Sequence, residues 1–117
     1  MTMNEPPVQI RYDATFKREA KSLRKKYPHI QDDLNSLIQS LEQGETPGDQ
    51  MSGVGYTAYK VRIPNTDSNT GKSGGYRVVY YIQTPESVVL MSIYTKSDQS
   101  NITPRQVKTR IEQYLKK

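Results

Sequence analysis

Cysteine is absent from all 117 residues, which excludes disulfide staples, zinc–thiolate sites and thiol nucleophiles. Histidine occurs once, as His29, too few to build a histidine-based metal site within one chain. Long apolar runs are missing too, so no stretch is expected to span a bilayer. Residues 1–7 are polar and lack the apolar centre of a secretion signal, which makes the cytoplasm the expected address. Hydrophobic residues reach only 33%, lean for a globular chain. Their positions are nonetheless periodic, and nine tyrosines add apolar area, so a folded chain is expected rather than a disordered one.

What the chain does have is positive charge. Seventeen lysines and arginines against twelve carboxylates give a formal charge of +5, and the isoelectric point is about 9.4. That balance favours nucleic acid or an acidic protein as partner and says nothing about fold. The length fits one domain, residues 1–117, around one core.

Periodicity then orders the elements. Val8, Ile10 and Tyr12 alternate with Gln9 and Arg11, the pattern of a short strand. From Ala14 the spacing changes: Phe16, Ala20, Leu23 and Tyr27 form one helical stripe, ended by Pro28. Ile30, Leu34, Leu37, Ile38 and Leu41 predict a second helix, with Asp32 and Asp33 near its positive end and Gly44 as its C-cap. A glycine-rich loop, residues 44–55, leads to strands predicted over 56–63, 76–83 and 87–95. Thr103, Pro104 and Gln106 carry the signature of a capped helix, whose stripe is Val107, Ile111, Tyr114 and Leu115. The expected fold is α+β, in the order β-α-α-β-β-β-α. It has a small antiparallel sheet, an N-terminal helical hairpin and a C-terminal helix, with the helices against one side of the sheet.

The chemistry is expected on the strands. In Tyr59-Lys60-Val61-Arg62-Ile63, Lys60 and Arg62 share one face and the apolar residues share the other. In the next strand Tyr76, Val78, Tyr80 and Ile82 form the expected core face, leaving Arg77, Val79 and Tyr81 beside the two cations. Three cations on one face suit a phosphate-rich partner and can offset charge that grows on a phosphate during reaction. Tyr81 is a candidate for stacking on a base. At the end of the last strand, Lys96 is a candidate phosphate contact, Asp98 a base or acceptor, and Tyr94 a proton donor. Lys72 adds basic charge near a strand entrance where Gly74 and Gly75 relieve the backbone. Lys21 and Lys25, on the basic face of the first helix, are candidate RNA contacts.

Other readings fail on spacing. Gly71-Lys72-Ser73 imitates the end of a nucleotide-binding phosphate loop, but Thr66 stands where that motif needs glycine, and a strand follows instead of a helix. Asp32 and Asp33 sit about 100° apart round a helix, a poor paired-carboxylate site. His29, next to Pro28, reads as a surface or capping residue.

Three stretches resemble the RelE/ParE superfamily of bacterial toxins, and most of all its HigB-like, RelE-type branch. They are Tyr59-Lys60-Val61-Arg62, Gly71-Lys72-Ser73-Gly74-Gly75-Tyr76-Arg77-Val78-Val79-Tyr80-Tyr81, and Ser92-Ile93-Tyr94-Thr95-Lys96-Ser97-Asp98. The resemblance implies a metal-independent endoribonuclease with no cofactor. Such an enzyme cleaves messenger RNA in the A site of the 70S ribosome, by attack of a 2′-hydroxyl on the adjacent phosphate, and a cognate antitoxin protein neutralises it. Lys60 and Arg62 match positions that bind phosphate or help activate the attacking oxygen, and Arg77 matches one that stabilises the extra negative charge. Lys96 matches a basic position at the end of the last strand. Ser97 stands where a second cation often does, and Asn101, Ile102 and Thr103 occupy the region of a tyrosine used by some members. The same superfamily holds DNA-gyrase inhibitors, and a non-catalytic RNA- or protein-binding module is the third alternative.

Overall fold

Alternating apolar residues draw the strands into one sheet, and the helices close over it. The computed structural model describes residues 8–68, 75–97 and 101–116. Among these the order is β1 (Gln9–Tyr12), α1 (Ala14–Lys26), α2 (Ile30–Glu42), β2 (Asp49–Gln50), β3 (Ala58–Ile63), β4 (Tyr76–Thr84), β5 (Ser87–Thr95) and α3 (Pro104–Leu115). The strands lie in the order β1-β5-β4-β3-β2. Three junctions are antiparallel, while β1 runs parallel to β5. The α+β class and the succession of elements are as expected. The parallel edge strand and the two-residue β2 are additions that local pattern does not encode.

Each helix starts and stops for a local reason. The Asp13 carboxylate accepts the Thr15 N–H at 3.0 Å and caps α1. At the end of α2, Gly44 takes φ of 89°; its N–H reaches the Leu41 carbonyl and the Glu45 N–H reaches that of Ser40. This paired closure is a Schellman motif, and it needs a residue free to adopt positive φ. Thr103 and Gln106 exchange hydrogen bonds of 3.1 and 2.9 Å in a capping box that opens α3. His29 holds the N-cap position of α2 without capping it through its side chain. Its own N–H instead donates to Asp67 at 2.7 Å.

The helices cover both faces of the sheet, which corrects the one-sided arrangement expected from the pattern. On one face Phe16, Leu23, Leu34 and Leu41 from the hairpin pack on Tyr76, Val78, Tyr80 and Ile93. On the other, Ile102, Val107 and Ile111 pack on Val79, Tyr81, Val89 and Met91. The physical reason is that β4 and β5 are apolar on both sides over most of their length, and each buried aliphatic side chain contributes about 1.5–3 kcal/mol. An irregularity in register also helps: Val79 pairs with Ser92 but Tyr80 with Leu90, leaving Met91 as the extra residue of a bulge.

Two glycines allow close approach near the cations. A Cβ on Gly48, where φ is 93°, would lie 2.8 Å from Val61 Cβ and against the Lys60 carbonyl. Glycine there lets β2 reach β3 and brings Asp49 opposite Lys60. A Cβ on Gly75 would strike the Ile63 carbonyl, so that residue meets the expectation of relief at the strand entrance. Gly74 lies outside the described residues. No described helix is long and apolar enough to cross a membrane.

Candidate active site

Pleating and register together assemble the site. In β3 the apolar side chains of Tyr59, Val61 and Ile63 join the hairpin core, so Lys60 and Arg62 project to the opposite face. Arg62 lies directly across from Arg77, and Arg77 directly across from Tyr94. Strands spaced about 4.8 Å apart thus set two guanidinium groups and a phenol side by side. Helix α3 covers another part of this face and leaves this end open. The result is a pocket of about 340 Å³ lined by Asp49, Lys60, Arg62, Arg77, Tyr94, Lys96 and Asn101.

Four cations and one carboxylate line that space, a strongly positive balance. Directly opposed like charges on neighbouring strands destabilise a sheet. The Arg62–Arg77 pairing therefore sets two like charges at directly opposed positions of the pocket wall. Arg77 is half-buried and donates to the Gly75 carbonyl at 3.0 Å, which holds its guanidinium near the strand start. The Lys60 ammonium donates to the Asn101 carboxamide oxygen at 2.9 Å. Tyr94 is only 4% exposed. Burial raises its pKa above the ordinary phenol value, against opposing contributions from the Ile102 backbone and Arg77. Its hydroxyl keeps its proton at neutral pH, as a donor requires and a base does not. Among the described residues no three carboxylate or imidazole groups converge. Among the described residues the pocket offers four cations, the Asp49 carboxylate, the Asn101 carboxamide and the Tyr94 phenol.

Five of the residues singled out in the sequence meet here: Lys60, Arg62, Arg77, Tyr94 and Lys96. Lys72 and Asp98 lie outside the described residues. Tyr81 corrects an expectation. It shares the face but is 7% exposed, buried in the α3 core edge-on to Tyr56, so its ring has no free side to stack on a base. Lys21 and Lys25 are exposed on α1, which packs on the opposite face of the sheet. They do not belong to the pocket, and Lys21 instead rims a groove between α1 and α2. Two pocket residues are not among the sequence candidates: Asp49, and Asn101, which the resemblance places only in the region of a tyrosine used by some members. Neither carries a periodic signal, and only the pairing of the two-residue β2 with β3 and the return of the chain into α3 bring them in.

A small mixed sheet clasped by a helical hairpin and a C-terminal helix, with a cation-lined pocket at one end, defines a RelE/ParE-type toxin fold. Residues 9–115 match the family described as the RelE toxin of the RelE/RelB toxin–antitoxin system. The chain belongs to that family and is a toxin of the toxin–antitoxin type. Among solved structures it is similar to a double-arginine mutant of the Escherichia coli toxin RelE in the free state. The two share 16% identity with a TM-score of 0.55, over 93% of this chain and 98% of that one. At that identity the likeness concerns the fold. A match to TrmO from Pseudomonas aeruginosa, with 15% identity and a TM-score of 0.47, covers 79% of this chain and 37% of that protein and carries no argument. No curated protein is significantly similar in sequence.

Proposed function

We propose that this toxin is a ribosome-dependent endoribonuclease that cleaves translated messenger RNA and is held in check by a cognate antitoxin. The observation that carries the reading is the gathering of Lys60, Arg62, Arg77 and Lys96 around one open pocket beside a protonated tyrosine. A phosphodiester seated there meets guanidinium groups from two strands, whose paired N–H donors suit two phosphate oxygens.

The 2′-oxygen attacks the adjacent phosphorus, forming a 2′-O–P bond as the P–O5′ bond breaks. The 2′-hydroxyl proton leaves to solvent, and the departing 5′-oxygen takes a proton from Tyr94, which water then restores. The products are a 2′,3′-cyclic phosphate and a free 5′-hydroxyl. Arg62 and Arg77 stabilise the extra charge on the pentacoordinate phosphate, and Lys60 lowers the cost of ionising the attacking hydroxyl. No histidine supplies acid–base catalysis here. In-line geometry must come largely from the ribosome, which holds the strand still, a contribution worth many orders of magnitude in such reactions.

Mapping transcript 5′ ends after brief induction tests the reading. Cuts at a fixed phase within translated codons are expected, and Arg77→Ala should abolish them while the protein remains folded. Intact messages with damaged or overwound DNA would point to gyrase instead. Growth arrest with intact messages and intact DNA would identify a non-cleaving binding module.

A further inference from the structure

Lys60 and Tyr94 stand on strands that are not neighbours, with β4 between them. Asn101 bridges that gap from above. Its Oδ1 lies 2.9 Å from the Lys60 ammonium and, in a longer contact, 3.5 Å from the Tyr94 hydroxyl. The orientation of the amide follows from chemistry. An ammonium has donors and no acceptor, so the oxygen and not the nitrogen must face it. The residues that follow are anchored: Ile102 is 1% exposed in the α3 core, and Thr103 is locked in the capping box. Asn101 thus stands next to an anchored helix start on a short side chain, while Lys60 is a point charge on a flexible four-carbon stem.

We propose that Asn101 is the positioning residue of the pocket: its carboxamide oxygen holds the Lys60 ammonium, and with it the Tyr94 hydroxyl, in register with a bound phosphodiester. The inference rests on the endoribonuclease reading above for its kinetic consequence, but not for its structural one. Asparagine suits the task because a neutral acceptor orients the ammonium without cancelling its charge. A carboxylate at the same place would hold Lys60 and neutralise it. Without Asn101, Lys60 samples several rotamers and loses alignment with the attacking oxygen, although the pocket's net charge and its attraction for RNA are unchanged.

Two measurements on the full chain test this. In single-turnover cleavage of message on ribosomes, Asn101→Ala should slow the step at saturation by about 10-fold to 100-fold, the scale of a catalytic group misplaced by an ångström. Half-saturation should move by less than about threefold, since no charge is lost. In the Lys60→Ala background the same substitution should cost clearly less than in the wild type, because the larger part of its effect passes through Lys60 and only the longer contact to Tyr94 is left to lose. An equal cost in both backgrounds, or none in either, overturns the proposal. The second measurement needs no activity. The side-chain ¹H–¹⁵Nζ signal of Lys60 at low temperature should be resolved in the wild type and lost in Asn101→Ala, with unchanged circular dichroism. If the wild type fails to cleave but this signal depends on Asn101, the nuclease reading falls and the positioning stands. A Lys60 signal indifferent to Asn101 sinks the positioning itself.

Discussion

Arg62 and Arg77 face each other across two hydrogen-bonded strands, an arrangement that folding alone disfavours. Arg62 is exposed, so replacing it removes repulsion with little loss of packing. Arg62→Thr is therefore expected to raise stability by about 0.2–1 kcal/mol at low salt. The gain should shrink as added salt screens the wild-type repulsion. Urea unfolding at two ionic strengths measures both effects, and cleavage should fall in the same variant. A residue whose removal stabilises the fold and weakens the activity is one retained for its chemistry. Tyr81 illustrates the opposite case. Alternation assigned it to the reactive face, and that was right, but burial under α3 makes it a core residue.

Helix α2 is tied to the segment that leaves β3. Asp67 accepts both the N–H and the Nδ1 of His29, at 2.7 Å each, while Asp33 accepts the N–H and hydroxyl of Thr66. The hydrogen bond to Asp67 raises the His29 pKa above its ordinary value, and the bonds from His29 lower that of Asp67. The raised histidine contributes stability that is complete below its unfolded pKa and is lost as pH rises through its folded pKa. The depressed carboxylate contributes stability that is complete above its unfolded pKa and is lost as pH falls through its folded one. His29 is exposed while Asp67 is only partly so, and the useful readout is titration and not melting. The His29 imidazole, followed by NMR, should titrate at higher pH in the wild type than in Asp67→Asn, with Asp32 and Asp33 still raising it in the variant; no change between the two would show that the contact does not persist in solution.

Across the whole molecule, what could be read from sequence was what repeats locally. Helix stripes, the Gly44 stop, the Thr103–Gln106 cap and the outward placement of Lys60 and Arg62 all follow from spacings of two, three or four residues. What could not be read depends on distant partners. The parallel seat of β1 on β5, the bulge at Met91, and the arrival of Asp49 and Asn101 at the pocket are set by strand pairing and chain return. Double-sided burial of β4 and β5 was obscured because an apolar run shows no preferred face. The two faces of the sheet now make separable demands. One carries the cation pocket, while the other carries the hairpin, with Lys21 and Lys25 on its basic helix.

The account depends on phosphate chemistry occurring on the first of these faces and not on the second. The direct measurement is single-turnover cleavage of a defined message on purified ribosomes by three proteins: wild type, Arg77→Ala, and the Lys21→Ala/Lys25→Ala double variant. Loss of Arg77 should slow cleavage by about 100-fold to 1,000-fold, the usual scale for removing one charge stabiliser, with the fold intact. The double variant should cut at close to the wild-type rate. Wild-type cleavage by Arg77→Ala, or its collapse when only the α1 lysines are removed, would contradict the assignment.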